Sequence, residues 1–585
     1  MPFDGFVLAA VTAELKDKIV SGRIMKIYQP QPNLIVLRIR KEKDNLQLLI
    51  SAHPVTGRIH LSQVIRENPI QAPLFCMVLR KHLEGGRITG IEQDGLERVL
   101  KIRVEAIDEI GDRSEKFLFV EIMGKHSNII LIDPKQNEIL DGIRRFTHLV
   151  SRHREVLPGR PYLSPPAQNK ENPLEIDEDS FRSRLLNLPL ATKLSNALVK
   201  NFSGFSPLLA REVVARTQLP ENTTIDSMGD YDFIRCWQAF QEIIDGVKSG
   251  FYQPTVAGNE RELWDFSCVS LFQYDPSHLQ KFPDMSQALD YFYSQREQQE
   301  LFSSRQRELE KVIKQEIDRL AKKLSLQEEK KAETNSGETF RVYGELITAY
   351  MYLLKKGMNT AELENFNQAG TKLEVPLDPR LTPVENAQVY FKKYNKAKVA
   401  KVLVEEQIIK GRSEMAYLES VLSSLEQAVD LVDLHEVHIE LAETGYLKAK
   451  SQPRKKSAEP VSPPLSFVSP DGYTILVGKN NKQNDWLTLK TAGKDDMWLH
   501  TKNIPGSHVI IRKKAGAQIP FSTIETAAKL AAFYSKARYS SQVPVDYTLV
   551  RQVKKPAGAK PGMVIYFEQQ TIYVTPDAVP PKPLS

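Results

Sequence analysis

The pair Glu97-Arg98 follows Gly95-Leu96 and opens an extended run of the chain. A guanidinium at a strand edge can make two parallel hydrogen bonds to a phosphate or a base edge, with the neighbouring carboxylate orienting it. The same two residues can equally form an exposed ion pair worth under about 1 kcal/mol. A denser polar group lies far along the chain: Asp471-Gly-Tyr473, Gly478-Lys-Asn-Asn-Lys-Gln-Asn-Asp-Trp486 and Lys494-Asp-Asp-Met-Trp-Leu-His-Thr-Lys-Asn-Ile-Pro-Gly-Ser-His-Val509. Here Lys479, Lys482, Asn484, His500, Lys502, Ser507, His508 and Arg512 interleave donors with Trp486 and Trp498. Such a mixture offers phosphate contacts beside rings on which an unpaired base can stack. The alternative is that both tryptophans are core and the Asn and Gly residues shape turns. Lys554-Lys555-Pro556, followed by Gly558-Ala-Lys-Pro-Gly562, reads as a rigid basic loop.

Other chemistries lack an anchor. There is no Walker loop, HExxH, GxSxG or dinucleotide fingerprint. Val477-Gly-Lys-Asn-Asn481 lacks the second glycine and the Lys-Ser/Thr pair of a phosphate loop. His500 and His508 with Asp495 and Asp496 match no common metal-ligand spacing, so neither metal nor cofactor is expected. Cys76, Cys236 and Cys268 are too few and scattered for a disulfide framework or a metal knuckle, and they suit a reducing cytosol.

The charge of the 585-residue chain is unevenly placed. Residues 465–585 carry 16 Lys+Arg against 8 Asp+Glu, a net of +8, which leaves −2 on the preceding 464 residues of a chain whose total is +6. A basic domain of this kind is expected to face phosphates, because cations that displace condensed counterions bind nucleic acid in a salt-dependent way; a merely soluble basic domain is the alternative. With 41% hydrophobic and 26% charged residues, the length predicts a soluble protein of several domains. The start carries Asp4 where a signal peptide needs a basic segment, and no window approaches 18 apolar residues, so a cytoplasmic protein without membrane spans is expected.

The elements that must hold these residues follow from periodicity. A helix at 7–20 is followed by strands at 22–28, 34–39 and 46–50, a helix at 73–83 ended by Gly85-Gly86, and strands at 87–91, 98–104, 116–122 and 128–132. The proline-rich stretch 158–173 is a boundary. Short helices fill 177–248; within them Asn201-Phe-Ser-Gly-Phe-Ser-Pro207 is either a turn whose N–H groups meet a phosphate or a plain helical hairpin. Ile313, Ile317, Leu320 and Leu324, and then Leu418, Leu422, Leu425 and Val429, repeat the spacing of a coiled-coil seam. Two arms of one antiparallel hairpin, closed by a tip near 337–380, is the economical reading; dimerisation is the alternative. An arm of this kind spans roughly 70 Å. After a polar linker at 446–464, the last domain is predicted as α+β, with strands at 473–477, 486–490, 546–553, 564–567 and 571–574 and a helix at 523–535.

Several rare strings in one order make the chain resemble the NFACT family, in its bacterial RqcH branch, also called fibronectin-binding protein A-like. They are Met1-Pro-Phe-Asp-Gly5, Leu49-Ile-Ser-Ala-His-Pro54, Phe75-Cys-Met77 with Leu79-Arg-Lys-His82, Glu121-Ile-Met-Gly-Lys-His-Ser-Asn128, Leu157-Pro-Gly159, Glu385-Asn-Ala-Gln388 with Tyr394-Asn-Lys-Ala-Lys398, Ile504-Pro-Gly-Ser-His508 and Val545-Asp-Tyr547. The resemblance implies a multidomain α+β protein. Its parts would be an NFACT-N domain similar to the formamidopyrimidine-DNA glycosylase fold (1–172), a helix-hairpin-helix domain (173–280), a coiled-coil hairpin called CC-M (281–445) and an NFACT-R RNA-binding domain (465–585). It also implies a role in ribosome-associated quality control. The partners implied are an obstructed large ribosomal subunit with its rRNA and peptidyl-tRNA, alanyl-tRNA and the small accessory protein RqcP. Stalled chains would receive untemplated alanine tails, with bond formation in the ribosome's peptidyl transferase centre, so no catalytic residue is expected. The family's Asp-Arg pair for tRNA binding falls on Glu97 and Arg98, with Glu in place of Asp.

Two other functions are weighed against this reading. A DNA glycosylase would use Pro2 as its nucleophile, but Phe3 stands where the neighbouring Glu is needed and no zinc-finger cysteines follow. A fibronectin-binding surface adhesin is suggested by the family's other name alone.

Overall fold

The computed structural model describes residues 3–107, 111–147, 154–166, 168–259, 262–334, 337–366, 371–447, 462–514 and 516–577. The chain divides into two compact units, Met1–Gln299 and Glu300–Ser585. Most of the expected linker lies outside the described residues.

The first unit begins with α1 (Gly5–Ile19), capped by the Asp4 carboxylate, which accepts from the N–H groups of Phe6 and Val7. Among the described residues, nine strands then form one antiparallel sheet in the order β4-β3-β2-β1-β5-β6-β7-β8-β9. They are β1 (Arg23–Gln31), β2 (Leu34–Lys41), β3 (Asp44–Ser51), β4 (Arg58–Leu61), β5 (Arg87–Gln93), β6 (Val99–Ile107), β7 (Arg113–Glu121), β8 (Asn128–Asp133) and β9 (Glu138–Gly142), with α2 (Leu74–Leu83) before β5. Alternating burial along β6 and β7 sends Leu100, Ile102, Val104, Leu118 and Val120 into the core. The strand β1 runs through Pro30, which reads as a breaker in the sequence; β4 and β9 carry too few alternating apolar residues to be seen there. Four helices follow, α3 (Glu178–Leu186), α4 (Leu194–Asn201), α5 (Pro207–Thr217) and α6 (Asp230–Ser249), with the small sheet of β10 (Thr255–Gly258), β11 (Leu263–Ser267) and β12 (Leu279–Lys281) after them. Phe181, Phe202, Phe205 and Phe240 stack among these helices and join the same apolar core as α1.

Helix α7 (Met285–Thr334) starts in the first unit and continues into the second. In the second unit it runs antiparallel to α9 (Pro383–Gln427): Gln306 donates to the Leu425 carbonyl at 3.0 Å, and further along Gln327 donates to Gln407 at 3.0 Å. Gly411 lets the Leu324 side chain approach α9, since a Cβ there would lie 2.8 Å from Leu324 Cδ2. The 45 residues of α9 span about 68 Å. Between the two helices lie α8 (Gly337–Ala349) and the hairpin of β13 (Thr360–Glu364) and β14 (Lys372–Pro376). The string Glu385-Asn-Ala387 has a local job: Glu385 closes a capping box with Thr382, and Asn386 ties Asp378, Leu381 and Thr382 to the helix start. Ile313, Leu320, Leu418 and Leu425 are buried along the seam, whereas Val429 lies beyond the end of α9 and is 77% exposed.

A short α10 (Leu431–Glu443) leads toward the last domain. Among the described residues its sheet has the order β15-β16-β18-β17-β19-β22, from β15 (Leu465–Val468), β16 (Thr474–Val477), β17 (Met497–Thr501), β18 (Val509–Ile511), β19 (Val543–Leu549) and β22 (Gln570–Val574), with a separate pair β20 (Val553–Lys554) and β21 (Ile565–Tyr566). Helix α12 (Phe521–Phe533) covers one face. The strand expected at 486–490 is instead helical: α11 (Asn481–Trp486) runs into a π turn at Leu487–Thr491. Asn480 caps it by accepting from the Gln483 N–H, a local bond that overrides the strand-like alternation of Trp-Leu-Thr-Leu.

Candidate nucleic-acid interface

Three backbone segments meet beneath Glu97 and Arg98. The Gly5 N–H donates to the Gly204 carbonyl at 3.0 Å, and Gln93 Nε2 bridges the carbonyls of Gly5 and Glu97 at 3.0 and 2.9 Å. A Cβ on Gly5 would lie 1.9 Å from the Leu96 carbonyl oxygen and 2.6 Å from Gly204 Cα; one on Gly204, whose φ is +79°, would lie 2.7 Å from Leu96 Cβ. Only glycines permit this junction. The Gly204 turn is therefore packed against the start of α1 and Leu96. From the junction the chain turns at Asp94–Glu97, where the Glu97 N–H donates to Asp94, and enters β6, where Arg98 accepts from the Ile122 N–H at 2.9 Å.

Asp4 lies at the same junction, wholly buried, with the Ser206 hydroxyl donating to it at 2.6 Å. Burial pushes its carboxyl up to about 6, partly offset by the Ser206 and α1 hydrogen bonds and by the positive charge of Arg98. Because the folded value exceeds the ordinary 3.8, Asp4 contributes stability at acid pH that is lost as pH rises through about 6. Relative to Asp4→Asn, whose offset is independent of pH, the wild type is expected to lose about 2 kcal/mol between pH 4 and pH 7. Denaturant unfolding of the first unit at both pH values checks this; a constant difference contradicts it.

Glu97 and Arg98 line a cavity of 1300 Å³ with Lys101, His126, Arg154, Tyr162 and Lys170 among its walls. Arg98 and Glu97 form no ion pair with each other among the described residues, so both reach the cavity separately. Lys170 is held below the usual lysine range by burial and then by the charge of Arg98. Opposite, the fully buried Glu121 accepts from Arg154 and from the Tyr162 hydroxyl at 3.0 Å, and Tyr162 stacks on Phe119 at 4.3 Å. The string around Glu121 thus builds a wall: Ser127 accepts from the Met123 N–H, and Asn128 bonds Arg144 through both side-chain atoms. Sequence reasoning missed Arg154, Tyr162 and Lys170; Tyr162 and Lys170 reach the cavity from the stretch 158–173, which reads only as a proline-rich boundary, and Arg154 from the residues just before it. The space exceeds the roughly 300–1,000 Å³ of ordinary small-molecule sites. Its lining is mixed in charge: Glu92 and Asp94 share the walls, Lys101 pairs with Glu92 at 2.7 Å and Arg154 with Glu121, so Arg98 and Lys170 are the lining cations with no ion pair among the described residues.

The polar group of the last domain divides differently. Lys479 pairs with Asp433 at 3.3 Å, Lys482 with Glu443 at 2.6 Å, and Lys555 with Asp485. Asn480 and Gln483 donate to Glu436, while Asn481 donates to the buried Glu440 at 3.0 Å, as does the Tyr417 hydroxyl at 2.8 Å. The acidic residues of α10 thereby hold the 479–483 segment. Burial raises the Glu440 carboxyl above its ordinary range. Glu440→Ala would remove one acceptor from each of two buried donors, leaving Asn481 with Ser420 at 2.9 Å and the Tyr417 hydroxyl with Thr444 at 3.4 Å, and is expected to destabilise the second unit by about 1–3 kcal/mol in all, with Glu440→Gln milder; calorimetric melting measures this.

Trp498 is fully buried, packed against Leu487, Ile510, Val550 and Val553, so its ring is not offered to solvent. Asn484, Ser507 and His508 are also buried: Asn484 accepts from the His508 N–H at 3.0 Å, Ser507 donates its N–H to Tyr534, and His508 Nδ1 lies 2.8 Å from the Thr488 hydroxyl. His500 is half-buried, 3.3 Å from the Gly506 carbonyl, and burial depresses its pKa and, to about 3, that of His508. Arg512 pairs with Asp496 at 2.8 Å. Lys502 and Lys554 are exposed, as is half of Trp486, with the Lys502 ammonium 4.0 Å from the buried Asp546 carboxylate and 3.5 Å from the Thr571 hydroxyl.

A family model for the NFACT N-terminal and middle domains matches residues 4–460, and one for the NFACT protein RNA binding domain matches 464–567. The Rqc2 homolog RqcH of Bacillus subtilis is 41% identical over 99% of this chain and 98% of its own length. Ribosome quality control complex subunit 2 of Schizosaccharomyces pombe is 21% identical over 92% of this chain and 63% of its own. The solved N-terminal part of the fibronectin/fibrinogen-binding protein of Streptococcus suis is 32% identical, covering 50% of this chain and 99% of that one, with a TM-score of 0.42. The fold is multidomain α+β with an RNA-binding module at its end, and the chain belongs to the NFACT family. Among the described residues no helix is long and apolar enough to cross a membrane, and Pro2, the nucleophile a glycosylase would need, lies outside them.

Proposed function

We propose that the protein is a ribosome-associated quality control factor that binds obstructed large ribosomal subunits carrying peptidyl-tRNA. It recruits alanyl-tRNA and directs untemplated alanine tailing of the stalled chain for degradation. The observation that carries this is the full-length similarity to RqcH, joined to a large cavity lined by Glu97 and Arg98. In this reading Arg98 contacts tRNA and Glu97 orients the contact. The chain itself supplies binding and positioning, and the peptide bond forms in the ribosome's peptidyl transferase centre. RqcP is the accessory partner, and the protein works in the cytoplasm on the ribosome.

In the last domain, exposed Lys554 and, at the far edge of a loose 4.0 Å pair with Asp546, exposed Lys502 are the cations this reading assigns to RNA. The buried Asn484, Trp498, Ser507 and His508 support the surface they stand on, and Lys479, Lys482, Lys555 and Arg512 serve it through their ion pairs. Subunit binding should weaken steeply with salt, by about 10³-fold between 50 and 200 mM if some six phosphates are neutralised. Filter binding across that range tests this; salt-insensitive binding would point to protein contacts and contradict it.

A further inference from the structure

The loop after α12 carries Tyr539, the most exposed aromatic side chain among the described residues at 93%. Its backbone is clamped. The Lys536 N–H donates to Pro505 at 2.9 Å, the Ser507 N–H to Tyr534 at 3.0 Å and the Ser540 N–H to Ala537 at 2.9 Å, while the Ala537 methyl is buried in the core. Gly506 makes the clamp possible, since a Cβ there would come within 2.8 Å of Ser535 Cβ and 2.9 Å of the Thr501 hydroxyl. The string Ile504-Pro-Gly-Ser-His508 is thus the shelf on which this loop rests.

Beside Tyr539, the Arg538 guanidinium lies 3.8 Å from the Phe533 ring centroid and 5.7 Å from that of Tyr539. No carboxylate pairs with it among the described residues. Lys529 and Lys536 are engaged by Glu525 at 3.3 Å and Glu419 at 3.2 Å, so Arg538 is the neighbouring cation left for a ligand. A rigidly presented, solvent-facing ring beside an uncompensated, ring-stacked guanidinium, in a domain of net charge +8, is complementary to an unpaired nucleotide. The ring takes the base face and the guanidinium takes phosphate or base edge.

We propose that Tyr539 and Arg538 form a stacking platform for an unpaired RNA base. The assignment rests on the RNA-binding reading of the last domain and gives it a place. Stacking is sequence-tolerant because every base has a π face, so the platform selects single-stranded over duplex RNA.

The test uses the full chain and a labelled oligouridylate of about twelve nucleotides in fluorescence polarisation. Tyr539→Ala should weaken binding about 5- to 100-fold, Tyr539→Phe should retain it, and Tyr539→Leu should behave like Tyr539→Ala. Arg538→Ala should weaken it as well. Competition with tRNA and with deproteinised large-subunit rRNA identifies which supplies the base; displacement by neither overturns the platform. Unchanged binding by Tyr539→Ala also overturns it. So does wild-type affinity of Tyr539→Leu, which would mark a generic apolar contact suited to a protein. A wild type that retains tRNA but ignores the oligouridylate defeats the platform alone, whereas one that binds no RNA defeats the RNA-binding reading with it.

Discussion

Arg98→Ala is expected to weaken tRNA retention by about 10- to 100-fold and to stop tail formation, while the first unit keeps its melting behaviour. The magnitude is that of losing one bidentate guanidinium contact, about 1–3 kcal/mol. Stability should hold because Arg98 shares no side-chain ion pair with Glu97, and its backbone bond from Ile122 survives any side chain. Removing its charge should also raise the Asp4 carboxyl further, since Arg98 is one of the influences lowering it, so any small loss of stability should appear at neutral pH and be absent at pH 4. Arg98→Lys restores charge without the planar fork and should recover only part of the affinity. Glu97→Gln removes the orienting charge, and Glu97→Asp asks whether the shorter acid of the family serves equally well. Binding of labelled tRNA to the purified chain, with tail length read in cells, checks each variant; undiminished tailing by Arg98→Ala would remove the residue from the site.

Gly5→Ala should be the most damaging small substitution in the first unit although it touches no proposed ligand contact. The new Cβ would meet the Leu96 carbonyl oxygen at 1.9 Å and Gly204 Cα at 2.6 Å, and both obstacles are backbone. No rotamer change relieves them, so the Asp94–Glu97 turn must move, and Arg98 with it. Overpacking ordinarily costs about 1–3 kcal/mol, and a clash this short belongs at or above that upper end. Loss of tRNA retention should accompany the loss of stability. Gly250→Ala is the control: its φ is +70° but nothing lies within 4 Å of the added Cβ, so it should cost about 1 kcal/mol and leave tRNA bound. Denaturant unfolding and tRNA binding measured on both variants separate the two cases, and equal behaviour would contradict the junction's role.

These two positions show what the sequence reveals and what it hides. Alternation made most strands of the first unit legible, whereas Arg98 was singled out by the resemblance to the family, since a carboxylate beside a guanidinium suits an ordinary exposed ion pair equally well. Gly5 and Gly204 are 199 positions apart, and no periodicity announces that their backbones touch. In the last domain, the polar residues were visible but their partners were not. Lys479, Lys482 and Asn481 look like phosphate ligands until Asp433, Glu443 and Glu440 are brought against them by the fold. One clue existed: Asp433, Glu436, Glu440 and Glu443 recur at spacings of three and four, one acidic face of a short helix. Trp498 had the composition of a stacking ring and the burial of a core residue, because a tryptophan on a central strand is read correctly only when the second layer is known. Tyr539 escaped for the opposite reason, since a lone tyrosine after a helix has no pattern until its exposure is seen.

The most direct measurement is affinity isolation of the tagged protein from its own cells, followed by sequencing of the bound RNA. The account predicts enrichment of large-subunit rRNA together with one tRNA species, that of alanine, with the tRNA lost and the rRNA largely kept in Arg98→Ala. Absence of both RNAs from intact, folded protein would contradict it.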